Sequence, residues 1–347
     1  MGKNDKSRSN MVTGTTGFTM TPKHLLTVIS DRAKPHVRAA GIGHLPGHPS
    51  VQLSLRLLRS ALNQGRYELS REEIRAVFER LYAEGIRFVL LQGGKPLLRP
   101  DLLDVVEDLT SLGLHVSVIT NGTRLTKDLV ARFAVLRLPL SISLDTLDHA
   151  RYRQIRGADQ LPQVLAELDL LDDYPGPKFL TCIVSEVNRD EVPGVVRFAG
   201  PRGFIPVVGA YHWKVGLYGK EDPGLVYDRS AAVHVFERLL HEGLIPAGYF
   251  RQFANDNVTW LRGQRLEPCD AGRYSVAIDA SGNVAPCLAF PSVGNLLESS
   301  YREILSRFDR AEIQTCSDYS TCNRFDGGMV GTILRHPMTA WRTPVSF

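Results

Sequence analysis

From Phe88 to Val208 short apolar runs alternate with amphipathic helical periods, and this constrains the fold more than any other feature of the chain. The runs are Phe88-Val89-Leu90-Leu91, His115 to Ile119, Leu138 to Leu144, Phe179 to Val184 and Ile205 to Val208. Helical spacing fills the gaps, as in Leu102, Leu103, Val106 and Leu109 ahead of Gly113, and in Lys127 to Ala134. Near-continuous apolar strands separated by helices predict a parallel sheet covered on both faces and wound by right-handed crossovers. An earlier run, Val51-Gln52-Leu53-Ser54-Leu55, supplies a first strand, so the expected fold is α/β, a partial (β/α)6 TIM-like barrel. Ser70-Arg71-Glu72-Glu73 has the pattern of a capping box, with a helix following through Ile74, Val77, Phe78 and Leu81 to Gly85.

The pattern divides the chain. Residues 1–20 are polar and rich in Gly, Thr and Ser, which predicts a disordered N-terminus. Pro22 to Arg32 reads as a short amphipathic helix at the start of a barrel unit spanning 21–263. Helical segments at Ala231 to Leu240 and Tyr249 to Leu261 lead to a change near residue 264. There Tyr274 to Ile278 and Val284 to Cys287 flank Asp279-Ala280-Ser281-Gly282-Asn283, the pattern of a β-hairpin. A small cysteine-bearing domain is expected over 264–330 and a tail over 331–347.

Composition excludes several classes. The net charge of +4, from 41 basic and 37 acidic side chains, is spread without a long basic run and argues against nucleic acid as a partner. No apolar stretch approaches the roughly 18 residues of a membrane span, so the expected location is the cytoplasm, with no membrane contact. Five cysteines in 347 residues do not make a disulfide framework, and a reducing compartment keeps them available for metal.

The ends of the strands carry the motifs. Gly93-Gly94-Lys95-Pro96 follows the Phe88 run, where β/α barrels build their sites and where glycines bring backbone close to a ligand. Thr120-Asn121-Gly122 ends the next strand, Ser141-Ile142-Ser143-Leu144-Asp145 the one after, and Tyr152-Arg153-Gln154-Ile155-Arg156-Gly157 follows. Read alone, Asn121-Gly122 is a turn and Asp145 a helix cap before Leu147. Their order along one chain resembles the radical S-adenosylmethionine enzymes, with Gly-Gly-Lys-Pro standing where that family has Gly-Gly-Glu-Pro. The resemblance implies that Gly93, Gly94, Lys95 and Pro96 face the methionine end of S-adenosylmethionine. It puts Thr120 and Asn121 in the same cleft, and Ser143 and Asp145 near the ribose.

Four cysteines follow: Cys269, Cys287 at Gly-x4-Cys spacing from Gly282, Cys316 and Cys322. The set is similar to the SPASM and twitch domains, which wrap auxiliary iron–sulfur clusters. In the family's later run, Cys-x2-Cys-x5-Cys-x3-Cys, the pair Cys316 and Cys322 fits the middle, while Ile313 and Asp326 hold the outer positions. Four thiolates hold one 4Fe–4S cluster and not two. They also suit a structural zinc ion, or remain ordinary thiols. Cys182, in an apolar strand, reads as core.

The resemblance implies a Cys-x3-Cys-x2-Cys loop after the first strand, holding the cluster that cleaves S-adenosylmethionine. No cysteine precedes Cys182, and the stretch between Leu55 and Leu69 has none. Three readings follow. The chain is a pseudoenzyme that binds a substrate, peptide or sugar-derived, or a partner such as an active homologue. It is an enzyme of non-radical chemistry using Lys95, Asp145 or His212. Or it is a radical oxidoreductase or maturase, of the type that modifies peptides and natural products, whose loop is missing from this version of the sequence.

Overall fold

The computed structural model describes residues 67–92, 96–211, 222–318, 322–323, 332, 335–336 and 338–339. Its centre is a parallel sheet of five strands among the described residues, β1 (Phe88–Leu91), β2 (His115–Thr120), β3 (Leu140–Ser143), β4 (Lys178–Val184) and β5 (Ile205–Ala210), in that spatial order. The α/β fold and its parallel sheet are as expected. The Val51 to Leu55 strand, the Pro22 to Arg32 helix and residues 1–20 lie outside the described residues.

Helices follow the strands as the periodicity requires. Before β1 comes α1 (Arg71–Ala83), and its capping box is present: Glu73 N–H donates to Ser70 Oγ and the Glu73 carboxylate accepts from Ser70 N–H. Ile74, Val77, Phe78 and Leu81 form its buried face. After β1, Pro96–Leu98 makes a 3-10 turn and α2 (Leu102–Ser111) follows, with Leu102, Leu103, Val106 and Leu109 buried as their spacing predicts. Then come α3 (Lys127–Val135) after β2, α4 (His149–Arg156) and α5 (Leu161–Asp169) after β3, and α6 (Val192–Ala199) after β4. After β5 come the helices α7 (Arg229–His241) and α8 (Tyr249–Leu261), both 13 residues long.

Register sets where a site can form. Leu91 pairs with Val118, Thr120 with Ile142, Ser143 with Thr181 and Val184 with Ala210. The strands therefore finish along one edge, which carries Gln92, Thr120-Asn121, Ser143 to Asp145 and Tyr211. At the opposite edge Tyr174 donates to the carbonyls of Leu138 and Phe133, and buried Lys178 donates to those of Leu171 and Asp172. Desolvation lowers the Lys178 pKa, and the two carbonyls supply its hydrogen bonds.

The C-terminal region holds the expected hairpin, β6 (Ala277–Ile278) with β7 (Asn283–Ala285), antiparallel. Its turn is organised by Asp279, which accepts from the N–H groups of Ser281 and Asn283, and by Gly282 at φ 86°. A third strand, β8 (Gly294–Asn295), which the sequence reading lacks, pairs with β7. Two short helices follow, α9 (Tyr301–Ser306) and α10 (Arg310–Asp318). The hairpin docks on the start of the α/β unit: Leu69 N–H donates to Ala280 O at 2.8 Å and Arg80 donates to Leu296 O at 2.7 Å. No helix among the described residues is long and apolar enough to cross a membrane.

Candidate functional site at the strand ends and the cysteine domain

The strand-end motifs gather on the same edge of the sheet. Gly93, Gly94 and Lys95 lie outside the described residues, as does His212. On either side of that gap Gln92 and Pro96 are buried, and the Gln92 Nε2 donor has no hydrogen-bond partner among the described residues. A buried donor left open costs about 1–3 kcal/mol, which an acceptor on a bound molecule would recover.

At the end of β2 the buried Thr120 accepts from Gly122 N–H at 3.2 Å, and Asn121 accepts from the N–H and hydroxyl of Thr123. Gly122 has φ 78°, the left-handed conformation that favours glycine, and a Cβ there would sit a tight 3.1 Å from Ile142 Cγ2. This turn is local and self-satisfied, leaving the Asn121 side chain half-buried at the edge.

Asp145 corrects the sequence reading. The cap of α4 is Asp148, whose side chain accepts from Arg151 N–H at 2.8 Å. Asp145 instead turns into the fold, with its side chain only 5% exposed. One oxygen accepts from Ile183 N–H at 2.9 Å and the other meets Arg156 Nη2 at 2.5 Å. The chain direction after β3 aims it at β4, and Thr146 and Asp148 are then free to shape the helix start. Both carboxylate oxygens are engaged, so the side chain is an ion-pair partner here rather than an open base. The Tyr152 to Gly157 stretch supplies the counter-charge: Tyr152 is buried, Arg156 reaches Asp145, and Gly157 ends α4 at φ 82°.

Ser143 stands half-buried at the end of β3. Below it Ser141 and Thr181 share a buried hydroxyl hydrogen bond of 2.7 Å across β3 and β4. Cys182 is core, as expected: it is 1% exposed, and burial, with Asp145 adding to it, pushes its thiol pKa well up. Asn188 escaped sequence reading altogether. It is fully buried, donates to the carbonyls of Asp145 and Ile183 and accepts from the N–H and hydroxyl of Ser185. His234 and His241 are exposed on α7, and His336 pairs with Glu267 at 3.0 Å.

The cysteine domain gives a second focus. Cys287 follows β7, is half-buried, and its Sγ accepts from Ala289 N–H at 3.3 Å. An amide directed at sulfur favours the thiolate, the form that binds iron. Cys269 is half-buried and lines a cavity of about 460 Å³ with Asp270, Arg273, Arg310 and Arg335 among its walls. Asp270 is buried and holds Arg335 at 2.7 Å. Desolvation and the Arg273 charge lower the Arg310 pKa, and among the described residues neither of these two arginines has a carboxylate partner. Net positive charge beside Cys269 suits an anionic iron–thiolate group. Cys316 lies in α10 and its side chain is outside the described set, whereas Cys322 is half-buried. Among the described residues no three His, Cys, Asp or Glu side chains gather about one ion position.

The segment carrying Cys322 is tied to the sheet. Asn323, 1% exposed, donates from Nδ2 to Ala210 O at 2.9 Å and to Asn257 Oδ1 at 3.1 Å. Asn257, on α8 and fully buried, accepts from Ala210 N–H at 3.0 Å and donates to Phe253 O at 2.8 Å. No periodicity marks either asparagine.

Two family models match the chain: the Radical SAM superfamily over residues 58–199 and the iron-sulfur cluster-binding SPASM domain over 269–324. A GTP 3',8-cyclase of Marinobacter nauticus is 33% identical over 183 residues, 52% of this chain and 54% of that protein. The chain thus spans about half the length of this curated relative. Among solved structures, Streptococcus suis SuiB bound to the precursor peptide SuiA superposes with a TM-score of 0.59 at 15% identity. The match covers 74% of this chain and 64% of that one. Native anSMEcpe with bound AdoMet and the Cp18Cys peptide gives 0.58 at 16% identity, covering 78% and 83%.

Proposed function

We propose that this chain, in which a radical S-adenosylmethionine domain and a SPASM domain are both matched, is a binding scaffold which has lost radical initiation. Its α/β unit, 21–263, presents a mouth for a substrate or partner, and its cysteine domain, 264–330, holds one auxiliary 4Fe–4S cluster. Cys269, Cys287, Cys316 and Cys322 are the ligands in this reading, and the reducing cytoplasm is where such thiols stay available. The amide on Cys287 Sγ and the arginines beside Cys269 support it. When bound, the cluster supplies one-electron transfer. The protein's residues supply position: the Asp145–Arg156 pair locks the end of β3 to α4 and β4, and the Thr120 to Thr123 turn shapes the end of β2.

The observation that carries the loss of radical chemistry is the distribution of cysteines. All five lie at residue 182 or beyond, so the stretch after Leu55 has no thiolate to hold a cluster. The occupant of the mouth is a peptide or a small polar molecule. The peptides bound to SuiB and anSMEcpe support the first, the GTP 3',8-cyclase relative supports the second, and the open Gln92 donor suits an acceptor on either. An active homologue of the same family fits as a partner that contributes the missing chemistry.

The reconstituted protein, reduced with dithionite and given S-adenosylmethionine, should form 5′-deoxyadenosine no faster than a protein-free control by liquid chromatography. Formation above the control, dependent on protein concentration, overturns the reading.

A further inference from the structure

We propose that the cavity beside Cys269 is a binding site for an oxyanion, a carboxylate or phosphate group on a small molecule, gripped by Arg273 and Arg310. The cavity measures about 460 Å³, and its charged walls come from three parts of the chain: Asp270 and Arg273 ahead of β6, Arg310 at the start of α10, and Arg335. Arg335 is engaged by acids, its Nε on Glu267 and its Nη1 on Asp270, both at 2.7 Å. Arg273 and Arg310 have no carboxylate partner among the described residues. Both are exposed, so a solute reaches them without any opening of the fold.

An aromatic ring holds each of the two instead. Arg273 Cζ lies 4.8 Å from the ring centre of Tyr274, and Arg310 Cζ lies 5.9 Å from that of Phe308. A ring against the flat of a guanidinium fixes its plane and leaves the N–H edges as donors. Desolvation, and after it the Arg273 charge, lower the Arg310 pKa, so two like charges are held near one another and a bound anion relieves their repulsion. Positive charge alone would serve an iron–thiolate group on Cys269 as well, but the donors favour oxygen. Guanidinium forks match carboxylate and phosphate bidentately, whereas sulfur is a weak acceptor. Pro268 and Ile313 add apolar wall, and the volume is that of a small-molecule site, so the ligand has an anionic end and an apolar body. The site needs no metal and stands apart from the cluster reading.

Calorimetric titration of the full, anaerobically reconstituted chain with inorganic phosphate, and separately with succinate, at constant ionic strength, tests the proposal. At least one should bind saturably at one site per chain: phosphate alone assigns a phosphate ligand, succinate alone a carboxylate, and both a site that reads the shared oxyanion. Arg273→Gln and Arg310→Gln should each weaken that binding about tenfold, as for the loss of one charge-assisted hydrogen bond. Arg310→Lys keeps the charge without the fork and should lose less. Arg302→Gln removes the same charge from an arginine paired with Glu84 away from the cavity, and should bind as the native chain does. So should Cys269→Ser/Cys287→Ser. The proposal is overturned if neither anion binds saturably, or if Arg302→Gln weakens binding as much as the cavity variants do, since the effect is then one of net charge. It is also overturned if binding appears only in the cysteine double variant, because an iron–sulfur group then fills the cavity. Iron counted on each sample separates the two readings: a chain without iron that binds the oxyanion supports this site and removes the cluster.

Discussion

Asp145→Ala should lower the unfolding free energy by about 3 kcal/mol, at the lower end of the range for breaking a buried ion pair. The carboxylate is 5% exposed and serves two partners, Arg156 and Ile183 N–H. Its removal leaves the amide between β4 and the β3 loop without an acceptor. Arg156 is 32% exposed and recovers part of its hydration, which holds the cost below that of a fully enclosed pair. Asp145→Asn keeps an oxygen for Ile183 and gives up the charge, so it should cost about half as much. For a unit of this size the alanine variant melts roughly 6–12 °C lower. Thermal unfolding of the two variants checks the ordering; an alanine variant within about 1 kcal/mol of the native protein would show that the pair is not held as described.

Lys95→Glu should strengthen S-adenosylmethionine binding by more than about a thousandfold. Lys95 stands in Gly93-Gly94-Lys95-Pro96 where the family has an acid, so the charge at that position is reversed. Two like charges about 4 Å apart repel by about 4 kcal/mol at an effective dielectric of about 20, and each 1.4 kcal/mol or so is a factor of ten in affinity. Replacing the lysine by a carboxylate removes the repulsion on the methionine ammonium and adds an attraction, while Lys95→Met removes the repulsion alone and should give an intermediate value. Equilibrium dialysis with labelled S-adenosylmethionine measures all three. Equal affinities would mean that residue 95 does not face the ligand, and the role assigned to Gly93 to Pro96 would fall.

What could be read in the residues was what is local. The capping box at Ser70 and Glu73 is contained in four positions, and the hairpin turn at Asp279 to Asn283 in five, so both are written in the chain and both are found. The alternation of apolar runs and helical periods gave the parallel sheet because strand and helix leave different repeats. The reading of Asp145 as a helix cap fails for the complementary reason. A short-range rule favours it as a cap, but its partner amide lies 38 residues away on β4 and Asp148 makes the shorter-range bond. Asn188, Asn257 and Asn323 share that difficulty, since an asparagine in sequence looks like a turn or a surface residue until the fold encloses it. The strand β8 is Gly294-Asn295, with no apolar side chain to mark it as a strand, unlike the equally short β6. The cysteine spacing pointed to the SPASM domain, yet the cavity arginines beside Cys269 come from separate elements and became visible only when α10 and the residues after Cys269 were brought together.

The central claim is one auxiliary cluster on the C-terminal thiols and none in the α/β unit. Iron and acid-labile sulfide per chain, after anaerobic reconstitution, test it most directly, with Cys269→Ser/Cys287→Ser measured beside the native protein. About four irons in the native chain, lost in the double variant, is the predicted result. About eight irons, four that survive in the double variant, or none at all would contradict it.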